Sequence, residues 1–179
     1  AVGTTVLAYG GYAFGQGAAE FEKKEGRGAS YEVARDKVDG EVDEFIVWPS
    51  DVAVAKEINE AQERRVIAVD KIRPDDRALD IGDQSIDRFT SIIGKAGTVI
   101  WNGPVGYATL QNFAHGSARI ALALATHPEI ESIIGGGDTA DFALKWDSRG
   151  GASFTHVSTG GGASLALMAG DKLPGERKS

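Results

Sequence analysis

Short apolar runs recur along the chain from Glu44 onward, and each is closed by a turn-forming segment. Glu44–Trp48 (EFIVW) stops at Pro49 and Val66–Asp70 (VIAVD) at KIRPDD. Thr98–Trp101 (TVIW) runs into NGPVG, Glu131–Ile134 (ESII) into GGGDT, and Phe154–Ser158 (FTHVS) into TGGGAS. Runs this short, apolar and partly β-branched predict buried parallel strands. Between them the spacing changes to three and four. Ile86, Phe89 and Ile93 in SIDRFTSIIGKAG predict a helix that ends at glycine. Ile120, Ala121 and Leu124 in SARIALALATHP predict a second, which stops before Pro128. TADFALKW and ASLALMAG read as shorter helices, and residues 31–38 as another. The order strand, loop, helix, strand predicts an α/β fold: a Rossmann-like, doubly wound, mostly parallel sheet with helices on both faces. There is no internal repeat and no interdomain linker, so residues 1–179 are expected to form one domain. The charged stretch EKKEGRGAS, Glu22–Ser30, reads as a solvated loop.

Composition narrows the function. The 179 residues are 42% hydrophobic and 25% charged, the balance of a globular domain with a sizeable core. A net charge of -7 argues against non-specific nucleic-acid binding and against an anionic membrane surface. No apolar run reaches the length of a membrane span. The absence of cysteine excludes thiolate chemistry and fits a reducing, cytoplasmic setting. The first residues, AVGTTVLAYGG, lack a basic n-region and do not read as a signal peptide. A start at Ala rather than Met fits either processing or a piece of a longer chain.

The 24 glycines cluster at the ends of the apolar runs. In a parallel sheet the ligand crevice lies beyond the carboxyl ends of the strands. Three glycine-rich loops are expected there: Asn102–Gly106, Gly135–Thr139 and Ser158–Ser164. Two lead at once into helices, whose first N–H groups are unpaired and carry about half a positive charge. One such loop is commonly packing, and Asp138 or Thr139 would serve as a helix cap. Three at successive strand ends point to a phosphate cradle. The P-loop lysine is absent. Gly135, Gly137 and Ala140 fit the spacing of a dinucleotide fingerprint, but the acidic residue about twenty positions on is missing. A carboxylate at Asp138 beside a glycine nest suits Mg²⁺-nucleotide, since Mg²⁺ takes one or two carboxylates together with phosphate oxygens and water.

The motifs WNGPVG (Trp101–Gly106), GGGDTA (Gly135–Ala140), STGGGASL (Ser158–Leu165) and LPG (Leu173–Gly175) resemble the C-terminal, nucleotide-binding half of phosphoglycerate kinases. PSDVAVA (Pro49–Ala55), LDIG (Leu79–Gly82) and GQG (Gly15–Gly17) stand in the matching order. The resemblance implies Mg²⁺ as cofactor and ADP or ATP as substrate. It puts Asn102 and Pro104 beside the base and ribose, and Tyr107 and Thr109 at the nucleoside. It puts Gly135, Gly136, Gly137 and Thr139 at the phosphates, and Asp138 at the nucleotide's Mg²⁺. Gly160, Gly161 and Gly162, with Gly137, would face the phosphoryl group in transit. The implied reaction is reversible phosphoryl transfer between 1,3-bisphosphoglycerate and ADP, giving 3-phosphoglycerate and ATP, by a cytoplasmic monomer.

The sequence departs from the family pattern at four positions. Thr109 stands where the family has a glutamate on the ribose hydroxyls, and Tyr107 where a small apolar residue is usual. Lys56 and Glu57 replace an acid followed by a lysine. The N-terminal half, with the basic patch for the phosphoglycerate, is not in the sequence, nor is the first strand of this half with its lysines. The isolated chain is therefore expected not to turn over. Two other readings stay open: a catalytically silent nucleotide-binding module, and a dinucleotide-dependent oxidoreductase. His115, His127 and His156 are too scattered for a metal site, and His156 reads as a core histidine. Trp48, Trp101 and Trp146 read as packing residues. Ser158 and Ser164 lack a histidine partner for nucleophilic catalysis.

Overall fold

The computed structural model of the chain describes residues 47–160 with their side chains and residues 4–8 by their backbone. These residues divide into two compact units: 4–8, 93–104 and 121–160 in the first, and 47–92 and 105–120 in the second.

The first unit is built on a four-stranded sheet in the order β1 (Thr4–Ala8), β5 (Thr98–Asn102), β6 (Glu131–Gly135), β7 (His156–Ser158). Every pairing is parallel. The interior of β5 is buried throughout, with Val99 and Trp101 fully covered, as expected of a parallel strand with both faces occupied. Between β6 and β7 the chain forms helix α3 (Gly137–Trp146). Its Ala140 and Ala143 are buried, and its Phe142 meets the Trp101 ring edge-on at 6.1 Å. At the end of α3 the Asp147 carboxylate accepts from the backbone N–H groups of Arg149, Gly151 and Ser153. These bonds, that from Ser153 foremost, hold Asp147 below the usual carboxylate range.

The second unit holds a three-stranded antiparallel sheet in the order β3 (Arg65–Ala68), β2 (Asp51–Ala55), β4 (Arg77–Ile81). All five residues of β2 are buried. Ala53, Ala55, Leu79 and Phe113 form a small core, closed by Val66 and Leu110. Helix α1 (Asp83–Ile93) begins where Asp51 reaches it from β2. The Asp51 carboxylate accepts from the N–H groups of Gln84 and Ser85 and from the Ser85 hydroxyl. Capping from another strand satisfies the orphan donors of the first turn. Beyond β2, Lys56 bonds to Asp75 at 2.6 Å and Asp76 at 2.9 Å, which raises the Lys56 pKa and lowers those of both aspartates.

Several expectations change. The pattern predicts one sheet, whereas the described strands form two, one of them antiparallel. VIAVD is not a buried parallel strand. Its first residues join β3, which pairs with β2 and has half-buried central residues between exposed ends; Val69–Lys71 then turn as a 3₁₀ segment. Arginines 64 and 65 at its start already favour a solvated edge. Val47 and Trp48 are not in a strand, and residues 44–46 lie outside the described residues. DVAVA and RALDI, read only as motif matches, are strands β2 and β4. His156 is exposed on β7, since the strand is only three residues long and its pleat turns that side chain outward. The helices predicted over 31–38 and ASLALMAG, the loop at Glu22–Ser30, and the GQG and LPG motifs lie outside the described residues. Helix α2 (His115–Ala125) matches its predicted span closely.

Candidate functional site

Sheet register sets up the candidate site. Asn102, Gly135 and Ser158 are directly paired neighbours on β5, β6 and β7, each at the last residue of its strand. Ala8, the last residue of β1, pairs with Asn102. The segments that follow β5, β6 and β7 therefore leave one end of the parallel sheet side by side, the position at which open α/β sheets hold ligands.

After β6 the chain turns at Gly136, which has φ 92° and ψ 140° and precedes the first helical residue of α3. A side chain is excluded there twice: the backbone is left-handed in φ, and a Cβ would lie 2.6 Å from Asn102 Oδ1. Gly137 differs, because a Cβ there would meet nothing within 4 Å. No side chain caps α3. Its first internal bond runs from the Ala140 N–H to the Gly136 carbonyl at 2.9 Å, so the N–H groups of residues 137–139 have no intrahelical acceptor.

Asp138 is exposed, and its carboxylate has no hydrogen bond or ion pair with the described residues. It lies in the first turn of α3, where the helix dipole favours a negative charge, but it does not cap the helix. Thr139 is turned the other way. Its side chain is 1% exposed, and its hydroxyl accepts a hydrogen bond from the Gly103 N–H at 2.7 Å. Gly103, at φ 101°, is held again at its carbonyl by the Trp101 indole N–H at 2.9 Å. Pro104 is half-buried. After β7, Gly160 is exposed and its N–H donates to Ser158 Oγ at 3.1 Å, a short turn of the kind serine favours. Gly161 and Gly162 lie outside the described residues.

Thus Asn102, Gly135, Gly136, Gly137, Asp138, Thr139 and Gly160 belong to adjoining strand ends of the first unit. Tyr107 and Thr109 belong to the second unit, and both are exposed. In that unit the segment 105–107 is tied down closely. Val105 exchanges hydrogen bonds with the Ser117 hydroxyl, and the Tyr107 N–H donates to the Leu79 carbonyl at 2.7 Å. Asp80 lies beneath it, accepting from the N–H groups of Ile81 and Gly116. Burial pushes the Asp80 carboxyl up to about 7, against the pull of those bonds and of Arg64.

Sequence reasoning missed Gly103, Asp51 and Asp80. The Asn102–Gly103 pair is a turn signal and marks the first. Nothing local marks the two aspartates, each of which has a partner more than thirty residues away.

As to metals, no group of three or more His, Cys, Asp or Glu able to hold an ion occurs among the described residues. Among those same residues, Asp138 alone offers a free carboxylate at the cradle. That set fits a cation carried mainly by phosphate oxygens better than one held by the protein alone. No helix among the described residues is long and apolar enough to cross a membrane.

The fold and the loops together define an α/β protein whose parallel sheet ends in adjoining glycine-rich turns, one of them opening a helix. The sequence profile of the phosphoglycerate kinase family matches residues 1–171, and the chain belongs to that family. A phosphoglycerate kinase of Listeria welshimeri is 39% identical over 171 residues, which are 96% of this chain and 41% of the relative. One from Staphylococcus saprophyticus is 44% identical over 130 residues, 73% of this chain and 32% of the relative. Among solved structures, the phosphoglycerate kinase of Coxiella burnetii matches with a TM-score of 0.74 at 26% identity, covering 94% of this chain and 44% of that one. The phosphoglycerate kinase of Pyrococcus horikoshii matches with a TM-score of 0.67 at 31% identity, covering 87% and 37%. The chain thus spans about two fifths of the length of the curated relative from Listeria.

Proposed function

We propose that this chain is the nucleotide-binding, C-terminal part of a phosphoglycerate kinase. It binds Mg²⁺-ADP or Mg²⁺-ATP at the carboxyl ends of the parallel strands, for reversible phosphoryl transfer between 1,3-bisphosphoglycerate and ADP. The observation that carries this reading is the register of Asn102, Gly135 and Ser158, which aligns the starts of three glycine-rich segments at one end of the sheet. Family membership supports it. The sheet, in this reading, is part of a Rossmann-like, doubly wound domain with helices on both faces.

Asn102, Pro104, Tyr107 and Thr109 are assigned to the nucleoside, and Gly135, Gly136, Gly137 and Thr139 to the phosphates. Gly160, Gly161 and Gly162 are assigned to the group in transit. The N–H groups at the start of α3, which have no intrahelical acceptor, supply fixed positive potential without reorganising, which is what a transition state with charge spread over phosphoryl oxygens requires. Bare backbone at Gly137 allows close approach. Asp138 would hold the Mg²⁺, which when bound neutralises phosphate charge. No side chain is needed as nucleophile, because the acceptor oxygen comes from the substrate.

The phosphoglycerate is assigned to a basic domain supplied by the rest of a complete enzyme, working as a cytoplasmic monomer. These 179 residues alone are proposed to bind nucleotide without turnover, since positioning of donor and acceptor needs both halves.

The experiment is a calorimetric titration with ADP, with and without Mg²⁺, on the unsubstituted chain and on Asp138→Ala. The expected result is a loss confined to the Mg²⁺-dependent part of the affinity, with unchanged thermal stability. Equal binding by both proteins, or lower stability with unchanged affinity, would return Asp138 to a structural role.

A further inference from the structure

We propose that Thr139 is a positioning residue: its hydroxyl acts through Gly103 to hold the loop after β5 against α3. The proposal rests on the nucleotide reading above for its consequence, and on the following geometry for its substance.

Thr139 Oγ1 accepts the Gly103 N–H at 2.7 Å. The residue is 1% exposed, while Gly137 and Asp138 beside it are open to solvent. The hydroxyl is therefore turned inward, onto the Gly103 N–H. Three residues along α3, on the same side, Phe142 meets the edge of the buried Trp101 ring. Trp101 in turn donates from its indole N–H to the Gly103 carbonyl. Both polar groups of Gly103 are thus held, one by α3 directly and the other by a side chain that α3 packs. The two restraints matter because Gly103 is at φ 101°, a conformation in which a free glycine has many alternatives to lose. Asn102, the residue before it, lies with its Oδ1 against the bare Gly136 that precedes α3.

The consequence is a fixed relation between the loop 102–104 and the first turn of α3. In the proposed function the first meets the nucleoside and the second the phosphates. A nucleotide spans both, so their separation has to be held before binding if affinity is not to be lost in ordering them. Thr139 sets that separation through its bond to Gly103.

The test compares Thr139→Val, which keeps the shape and removes the hydroxyl, with Thr139→Ser, which keeps the hydroxyl. Amide hydrogen exchange at Gly103 is expected to speed up in Thr139→Val and to stay slow in Thr139→Ser. Adenosine and Mg²⁺-ADP titrations of Thr139→Val are expected to weaken together, by about fivefold, with recovery in Thr139→Ser. Trp101→Phe, which removes the second restraint on Gly103, is expected to weaken the same two ligands together, even if Thr139→Val does not fold. A loss for Mg²⁺-ADP with adenosine unchanged would mean a direct phosphate contact and would overturn the proposal. Unchanged exchange at Gly103 in Thr139→Val would overturn it as well. If the unsubstituted chain binds neither ligand, the nucleotide reading fails, and the Gly103 exchange still decides whether Thr139 holds the loop.

Discussion

Asp80 occupies the space that a side chain at Gly106 would need: a Cβ there would overlap Asp80 Oδ1. Gly106 also has φ 80°, so its lack of a side chain is required by both backbone and neighbours. A left-handed backbone costs other residues about 1–2 kcal/mol, and overpacking a filled site about 1–3 kcal/mol. Gly106→Ala is therefore expected to lose about 2–5 kcal/mol in urea unfolding. Adding Asp80→Ala should relieve only the overlap with Asp80, and leave both the backbone part and the close approach to the Phe113 carbonyl. A loss well under about 1 kcal/mol would show that segment 105–107 relaxes freely around the added methyl.

The same carboxylate predicts a pH dependence. Its pKa stands at about 7 in the folded chain against 3.8 for the ordinary side chain. The folded state therefore holds the proton where the unfolded state has released it. Stability should fall as pH rises from near 3.8 towards 7 and level off above. Asp80→Asn has its own cost, because its amide would face the N–H of Ile81 or Gly116. Its stability should nevertheless lose that slope. Unfolding curves across this range for both proteins make the comparison, and identical slopes would count against burial of the charge.

Gly136 and Gly137 are adjacent but should respond differently. Gly136→Ala meets both a φ of 92° and Asn102, and should destabilise by about 1–3 kcal/mol. Gly137→Ala enters open space at the start of α3 and should keep or raise stability by up to about 1 kcal/mol. It should still weaken Mg²⁺-ADP binding, because a methyl would stand where, in the proposed function, phosphate approaches the backbone. Thermal melts paired with calorimetry read both effects. Full affinity in Gly137→Ala would remove Gly137 from the cradle.

Thr109 is exposed, so replacing it should leave folding unchanged. Thr109→Glu would offer a carboxylate that accepts from both ribose hydroxyls. Charge-assisted bonds add about 1.5–3 kcal/mol, so ADP should bind roughly tenfold tighter. A deoxyribose analogue should gain less. No gain for either ligand would mean that Thr109 does not face the ribose.

The local pattern determined much of the first unit. TVIW and ESII are short, apolar and β-branched, and they became β5 and β6 within one residue of their predicted ends. The glycines that follow them marked the turns, because no other residue accepts the backbone found at Gly103 and Gly136. The helix starting at Gly137 was legible from its apolar spacing, and the family from the order of its motifs. Tertiary structure decided what depends on residues far apart in the chain. VIAVD has the composition of a buried strand, and only its pairing with β2 makes it an antiparallel, partly solvated edge. Asp51 and Asp80 look like surface aspartates in sequence. Both are buried because helix N–H groups from residues 84–85 and 116 arrive to satisfy them. Thr139 follows the same rule. Its type and place allowed a cap, a phosphate contact or a staple, and the inward turn of one hydroxyl onto Gly103 was set by how α3 packs on the loop after β5.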